Sequence, residues 1–298
     1  MIKRIIYIET PSYISTENEQ IWINYKNAER SERIPAEDLG FLILDNYQIT
    51  ISTNAINKIG QNGGAILTCG NNHHPLMLAL PIEANYLQTE RLHNQIKASL
   101  PQKKNLWNQL IMSKIKNQAF VLKYYSKEYK TLLTKIDKIR SGDVSNQEAI
   151  ASQYYWKTLF EDTNFRRDPD GDYPNNLLNY GYAIIRAIVA RAVVISGLHP
   201  SIGIFHKNKL NAFCLADDIM EPYRPIIDKL VFQYYIKNPY NEILNKEVKK
   251  MLLESAFLDV RINKKTHPLS IGVQITVSSL VDYFAGKTKK LNLPELCD

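Results

Sequence analysis

The hydrophobic period of the chain changes once, near Ile82, and that change restricts its possible folds more than any other feature. Before that point the apolar residues come in short runs. KRIIYIET, EQIWINYK, FLILD and QITIST are rich in Ile, Tyr and Phe, with turn-forming clusters such as Thr10-Pro11-Ser12 and Asp45-Asn46 between them. Such runs predict strands, because β-branched and aromatic side chains suit a pleated, half-buried surface. AINKIGQNGG reads as a brief helix ended by its glycines, and AILTCG and LMLAL supply two further apolar strands. From Asn85 onward apolar residues recur three and four apart, the repeat of one helix face. NQLIMSKIKNQAFVLKYY and residues 177–196 show it most clearly, the second closed by Gly197 with Pro200 beyond. Strands first and helices afterwards predict an α+β chain, with a small β-rich domain over residues 1–84 and a larger, mostly α-helical domain over 85–298.

Composition excludes several alternatives. Hydrophobic residues make up 45 % of the 298, enough for packed cores, and 22 % charged residues with 12 Gly and 13 Pro exclude collagen-like, low-complexity and disordered chains. The most apolar stretch, AIIRAIVARAVVI, is interrupted by Arg186 and Arg191, short of the roughly 18 apolar residues a membrane span needs. MIKRIIYIETPSY lacks the apolar centre and small-residue cleavage site of a signal peptide. Cys69, Cys214 and Cys297 lie far apart with no CxxC pair, which supports neither a disulfide framework nor a cysteine zinc site. The expectation is a cytoplasmic protein with no membrane partner. No GxGxxG or GxxxxGK[ST] loop is present, which argues against a nucleotide-dependent metabolic enzyme.

The net charge of +7 is concentrated. Residues 101–140 carry 10 basic and 2 acidic side chains, a net of +8, whereas residues 1–100 net −2 and residues 141–298 net +1. The basic stretch includes Lys103, Lys104, Lys114, Lys116 and Lys123, interleaved with Trp107, Tyr124, Tyr125 and Tyr129. Cations for phosphates and aromatic rings for bases are what a nucleic-acid surface needs, so these lysines are candidate DNA contacts. A solvated helix face is the plainer alternative.

Two segments carry candidate chemistry. In IGIFHKNKLNAFCLADDIMEPYRPIID, His206 precedes Asp217, Asp218 and Glu221, followed by Arg224 and Pro225. Three residues apart on one turn, Asp218 and Glu221 share a face. Pro222 fits a first helical turn, which sets Glu221 at a helix start. One imidazole with hard carboxylate oxygens suits Mg2+ or Mn2+. An acidic surface patch with Glu221 paired to Arg224 accounts for the segment equally well. In QEAIASQYYWKTLF, Glu148 heads a helix, where a carboxylate ordinarily offsets the helix dipole. A metal site built on the first segment would still need a ligand from elsewhere, and Glu148 could supply it. The acidic loop from Asp168 to Asp172 reads as a turn, since Asn179 stands where a calcium loop needs a bidentate Glu. His73, His74 and His267 have no spaced partners, and Cys214 reads as a buried thiol.

Three segments in order resemble the CRISPR adaptation (spacer-acquisition) integrase/endonuclease family. EAIASQYYW is similar to its Glu-Ala-x-Ala-x-x-x-Tyr helix. LNYGYAIIRAIVARAVVISGLHPSIGIFH is similar to its long helix leading to Gly-x-x-His, and LADDIMEPYRPIID to its Leu-x-x-Asp-x-x-Glu-x-x-Arg-Pro segment. Glu221 stands where many relatives carry Asp, and Ser152 where they often carry Ala. The length and this Glu look most like the branch from single-effector (type II) systems. The resemblance implies a metal-binding catalytic triad of Glu148, His206 and Glu221, with Asp218 as an auxiliary catalytic acid and Arg224 orienting Glu221. It implies insertion of short double-stranded DNA fragments into a repeat array by 3′-hydroxyl attack on a phosphodiester, using Mg2+ or Mn2+. The implied partners are a second copy, paired through the β domain, and a small protein of the CRISPR adaptation complex. A metal-dependent DNA or RNA nuclease that never joins ends, and a non-catalytic DNA-binding scaffold, are the alternatives.

Overall fold

A computed structural model describes residues 3–26, 30–71, 73–161, 165–239 and 244–297. They fall into two compact units, Met1–Gln88 with Val194–Gly197, and Thr89–Val193 with Leu198–Asp298. The architecture is α+β, as the change of period implies.

The first unit contains β1 (Arg4–Ile8), β2 (Ser12–Glu17), β3 (Gln20–Tyr25), β4 (Ser31–Pro35), β5 (Leu39–Leu44), β6 (Thr50–Ile51), α1 (Thr53–Gln61), β7 (Ala65–Cys69) and β8 (Pro75–Ala79). One sheet has the order β1-β5-β7-β8 and the other β4-β3-β2-β6. Strand β5 is buried along its whole length, with parallel partners β1 and β7 on either side. A strand covered on both faces reads as a continuous apolar run, which is why LGFLIL does not alternate. Ile8, Leu42 and Ile66 of one sheet, Ile14, Ile21 and Ile23 of the other, and Ala55 and Ile59 of α1 share one core. Each fully buried Ile or Leu contributes about 1.5–3 kcal/mol. Helix α1 starts where the Ser52 hydroxyl accepts from the Ala55 amide at 3.2 Å, an ordinary N-cap.

The second unit contains α2 (Gln88–Lys97), α3 (Leu100–Tyr124), α4 (Lys130–Ile136), α5 (Gln147–Phe160), α6 (Asn175–Ile195), α7 (Cys214–Met220), α8 (Arg224–Lys237), α9 (Lys246–Leu253), β9 (Asp259–Ile262), β10 (Lys265–Pro268), α10 (Leu269–Phe284) and β11 (Glu295–Leu296). Helix α3 is its hub. Ser99 and Gln102 cap it reciprocally. Its stripe of Leu106, Leu110, Ile111, Ile115 and Leu122 is buried, and it packs against α4, α5, α8 and the tight turn Glu221–Tyr223.

Helix α6 departs from expectation in one respect. Despite Arg186 and Arg191 it is a single 21-residue helix, long and apolar enough by length and composition to cross a membrane, and 67 % of its apolar window is buried within the fold. Gly197, at φ +69°, ends it. The Gly197 amide donates to Val194 O at 2.9 Å and the Leu198 amide to Val193 O at 3.1 Å, a C-terminal cap that needs a left-handed residue. The antiparallel sheet β10-β9-β11 had no sequence expectation.

Candidate active site

Asp218 organises one half of the site. It lies on α7, wholly buried, and its carboxylate accepts four hydrogen bonds. The amides of Ile204 and Phe205 donate to Oδ2 at 2.5 and 3.0 Å, and that of His206 to Oδ1 at 3.2 Å. The fourth is from His206 Nδ1, 2.6 Å from Oδ1. The loop can fold this tightly because Gly203 has no Cβ. One there would lie 2.4 Å from His206 O and 3.0 Å from Asp218 Oδ2. An Nδ1 proton given to Asp218 leaves the Nε2 lone pair free for a ligand, the usual support for a metal-binding histidine. That hydrogen bond raises the His206 pKa, burial pulls against it, and the charges of Asp218 and Glu221 add to the rise.

The other half is a pair of carboxylates meeting at an ammonium. Glu148 lies in the first turn of α5, and Ser152 Oγ, four residues on, donates to its Oε1 at 3.0 Å. Glu221 opens the turn between α7 and α8 and is 6 % exposed. Asn117 of α3 secures that turn, its Nδ2 donating to Pro222 O at 2.8 Å. Between the two acids lies Lys114, whose Nζ is 2.5 Å from Glu148 Oε1 and 2.6 Å from Glu221 Oε2. Arg224 Nε is 2.9 Å from Glu221 Oε1. Burial alone would raise the Glu221 carboxyl, but Arg224 and Lys114 outweigh it and hold the pKa at about 2. Burial likewise lowers Lys114, and Glu221 and Glu148 more than reverse it.

Among the described residues, no three His, Cys, Asp or Glu side chains stand close enough together to hold a metal ion as they are. The reason is visible. Lys114 fills the space between the two acids, and His206 is reached electrostatically by Glu221 but not bridged to it. The donors still fit a hard divalent cation. Two carboxylates already share one positive charge, the His206 imidazole lies within electrostatic reach of Glu221, and the buried Glu221 Oε2 lacks a well-aligned hydrogen bond despite its close ion contact.

Several sequence expectations need correcting. Lys114, a candidate DNA contact, does not stand on an open basic surface: it is buried between Glu148 and Glu221. Lys116 and Lys123 are exposed and, seven residues apart, share a face of α3, while Lys103 and Lys104 are half-buried. Trp107 is not free to stack on bases. It is 4 % exposed and lies flat against Phe205, with ring centroids 4.1 Å apart. Glu148 lies in the acidic first turn of its helix as expected, and Asp143 accepts from the amides of Gln147 and Glu148, each at 2.8 Å. Asp218 and Glu221 share a turn but serve different neighbours. The segment Asp168–Asp172, by contrast, is the turn the sequence predicts, with the Asp170 amide donating to Asp168 Oδ1 at 2.9 Å.

The sequence named Lys114 only as a DNA contact and gave no sign of its pairing with Glu148 and Glu221, of Asp143, or of the support behind Arg224. Arg224 and Arg167 lie over the Tyr182 ring, 4.6 and 5.0 Å from its centroid, and the Tyr182 hydroxyl donates to buried Asp228. Burial pushes Asp228 up to about 7 against the hydrogen bond from Tyr182. One signal was available. Lys114 follows Leu110 and Ile111 by four and three residues, so it falls on the apolar stripe of α3, where a solvated lysine has no place. A cleft of about 540 Å3 opens beside Glu148, with Lys114, Lys157, Arg166, Arg167 and Arg224 among the residues lining it.

Paired acids, an imidazole and a cation-lined cleft are the equipment of an enzyme that acts on phosphodiesters. Comparison with known proteins agrees. The family model described as CRISPR associated protein Cas1 matches residues 6–258. A CRISPR-associated endonuclease Cas1 from Neisseria meningitidis serogroup C (strain 8013) is 33 % identical over 299 residues, covering 99 % of this chain and 97 % of that protein. Among solved structures, a casposase bound to integration product superposes with TM-score 0.80 at 18 % identity, covering 98 % of this chain and 93 % of that one. A chain of a Cas6-RT-Cas1–Cas2 complex gives 0.75 at 15 % identity, covering 99 % of this chain and 36 % of that one. The chain belongs to the CRISPR associated protein Cas1 family.

Proposed function

We propose that this chain is a DNA integrase and endonuclease of CRISPR adaptation that works with Mg2+ or Mn2+ and inserts short DNA fragments into a repeat array. The observation that carries the reading is the convergence of Glu148 and Glu221 on one buried cation beside the His206–Asp218 pair, within a Cas1-family chain. Glu148, His206 and Glu221 would hold the divalent ion, which when bound polarises the phosphate and stabilises charge on the entering or departing oxygen. A bond forms from the fragment's 3′-oxygen to phosphorus and the bond to the repeat's 3′-oxygen breaks; the attacking hydroxyl gives its proton to solvent, and the departing oxygen takes one up to become a 3′-hydroxyl.

The chain's own residues supply the rest. Asp218 fixes the imidazole tautomer, Arg224 holds Glu221 in place, and the cleft cations bind phosphates, so joining should weaken as salt rises. Two DNAs must be held at once, which favours an assembly over a single subunit. The β-rich unit is the proposed dimer surface, and the second component is a small protein like the Cas2 named in the solved assembly.

The test is joining of a labelled short duplex to a supercoiled repeat plasmid, with Mn2+ or Mg2+ against EDTA, for wild type and His206→Ala. Metal-dependent joining that disappears in the variant supports the reading. Nicking without joined label identifies a nuclease, and unaltered joining by Glu148→Ala identifies a structural cluster.

A further inference from the structure

Lys114 occupies the oxygens that a divalent ion would need. Its Nζ contacts Glu148 Oε1 and Glu221 Oε2 at 2.5 and 2.6 Å, and its side chain is 10 % exposed. An ammonium and a divalent cation cannot share those atoms, since the approach brings like charges together in a poorly solvated place. The same side chain borders the cleft beside Glu148, together with Lys157, Arg166 and Arg167. Lysine is suited to leaving one partner for another, being a compact charge on a flexible four-carbon stem.

We propose that Lys114 is a displaceable placeholder: it neutralises Glu148 and Glu221 while no metal is bound, yields to the divalent ion, and then takes a DNA phosphate in the adjoining cleft. This deepens the metal-centre reading above and rests on it. Without the ammonium, the metal-free protein would leave buried Glu221 paired with Arg224, and half-buried Glu148 beside it without its ion pair. The arrangement couples two ligands. Metal frees the lysine for phosphate, and phosphate draws the lysine from the acids. By linkage each ligand raises the affinity for the other by the same factor. The centre therefore loads at lower metal concentration when DNA is present.

The test uses the full-length, metal-free wild-type protein. Lysines are acetylated with an N-hydroxysuccinimide ester and read by mass spectrometry, alone, with Mn2+, and with Mn2+ plus a short duplex. Lys114 should be protected alone, become reactive with Mn2+, and be protected again with DNA, while exposed Lys264 reacts throughout. In parallel, Mn2+ binding by calorimetry should tighten about 10-fold in Lys114→Met, a size usual for coupled sites, and the duplex should no longer add to it. Lys114 that stays protected at saturating Mn2+ overturns the proposal, as does a Met variant that binds Mn2+ no tighter than wild type. If the variant does not fold, the wild-type footprint decides. If neither protein binds Mn2+, the metal-centre reading itself fails.

Discussion

The loop that carries His206 and the acids that face it are held together by different forces. Around Asp218, three backbone amides and one imidazole nitrogen all donate to a single carboxylate, so the loop is fixed by directional bonds that need no added ion. Around Glu221 the contacts are charge pairs, to Lys114 and Arg224, and one carboxylate oxygen has no well-aligned donor. The first region is pre-organised and the second is poised. Under the proposed function, the rigid part would aim the ligand and the electrostatic part would exchange one cation for another.

That contrast can be broken most severely at Asp218. Asp218→Asn keeps the shape but replaces one acceptor oxygen by an NH2 donor, so either the Ile204 and Phe205 amides or the His206 amide and Nδ1 lose their partner. Mn2+ affinity should fall about 10- to 100-fold, the usual cost of removing such a supporting group. Calorimetry on the purified variant reads this directly, and an unchanged affinity would mean that His206 needs no help from Asp218.

A smaller effect is expected behind the charge-paired region. Asp228 is held near 7 against an ordinary value of 3.8, so the folded state keeps its proton while the unfolded chain has lost it. Its contribution to stability is fully present below about 3.8 and is lost as pH rises through about 7. Asp228→Asn removes that dependence while leaving an acceptor for Tyr182. Its melting temperature relative to wild type should climb from pH 5 to pH 8, and a difference independent of pH would contradict the burial argument.

Much of this was legible in the sequence, for physical reasons. Helices α3 and α6 announce themselves because their apolar stripes run for 25 and 21 residues, ample length for a period of 3.6 to show. Strand β5 is legible because both of its faces are covered. By contrast β2, reading SYISTE, is short and mostly polar, and β9, β10 and β11 span only four, four and two residues, too few for alternation to register. At the site, Glu148, His206 and Glu221 were singled out by the family resemblance together with local pattern, and the fold brings Glu148 and Glu221 onto one lysine. That role of Lys114, and Asp143, could not be read, because what they do depends on tertiary neighbours. A lysine in a basic stretch looks solvated until the fold sets two acids beside it, and Asp143 caps a helix that starts four residues later.

The most direct measurement is anomalous scattering from crystals of the protein grown with Mn2+. The account expects one Mn2+ peak at about 2.0–2.3 Å from a Glu148 oxygen, a Glu221 oxygen and His206 Nε2, near the usual ligand distances of such hard ions, with Lys114 withdrawn from the acids. Saturating Mn2+ with no peak there, and Lys114 still bridging Glu148 and Glu221, would contradict it.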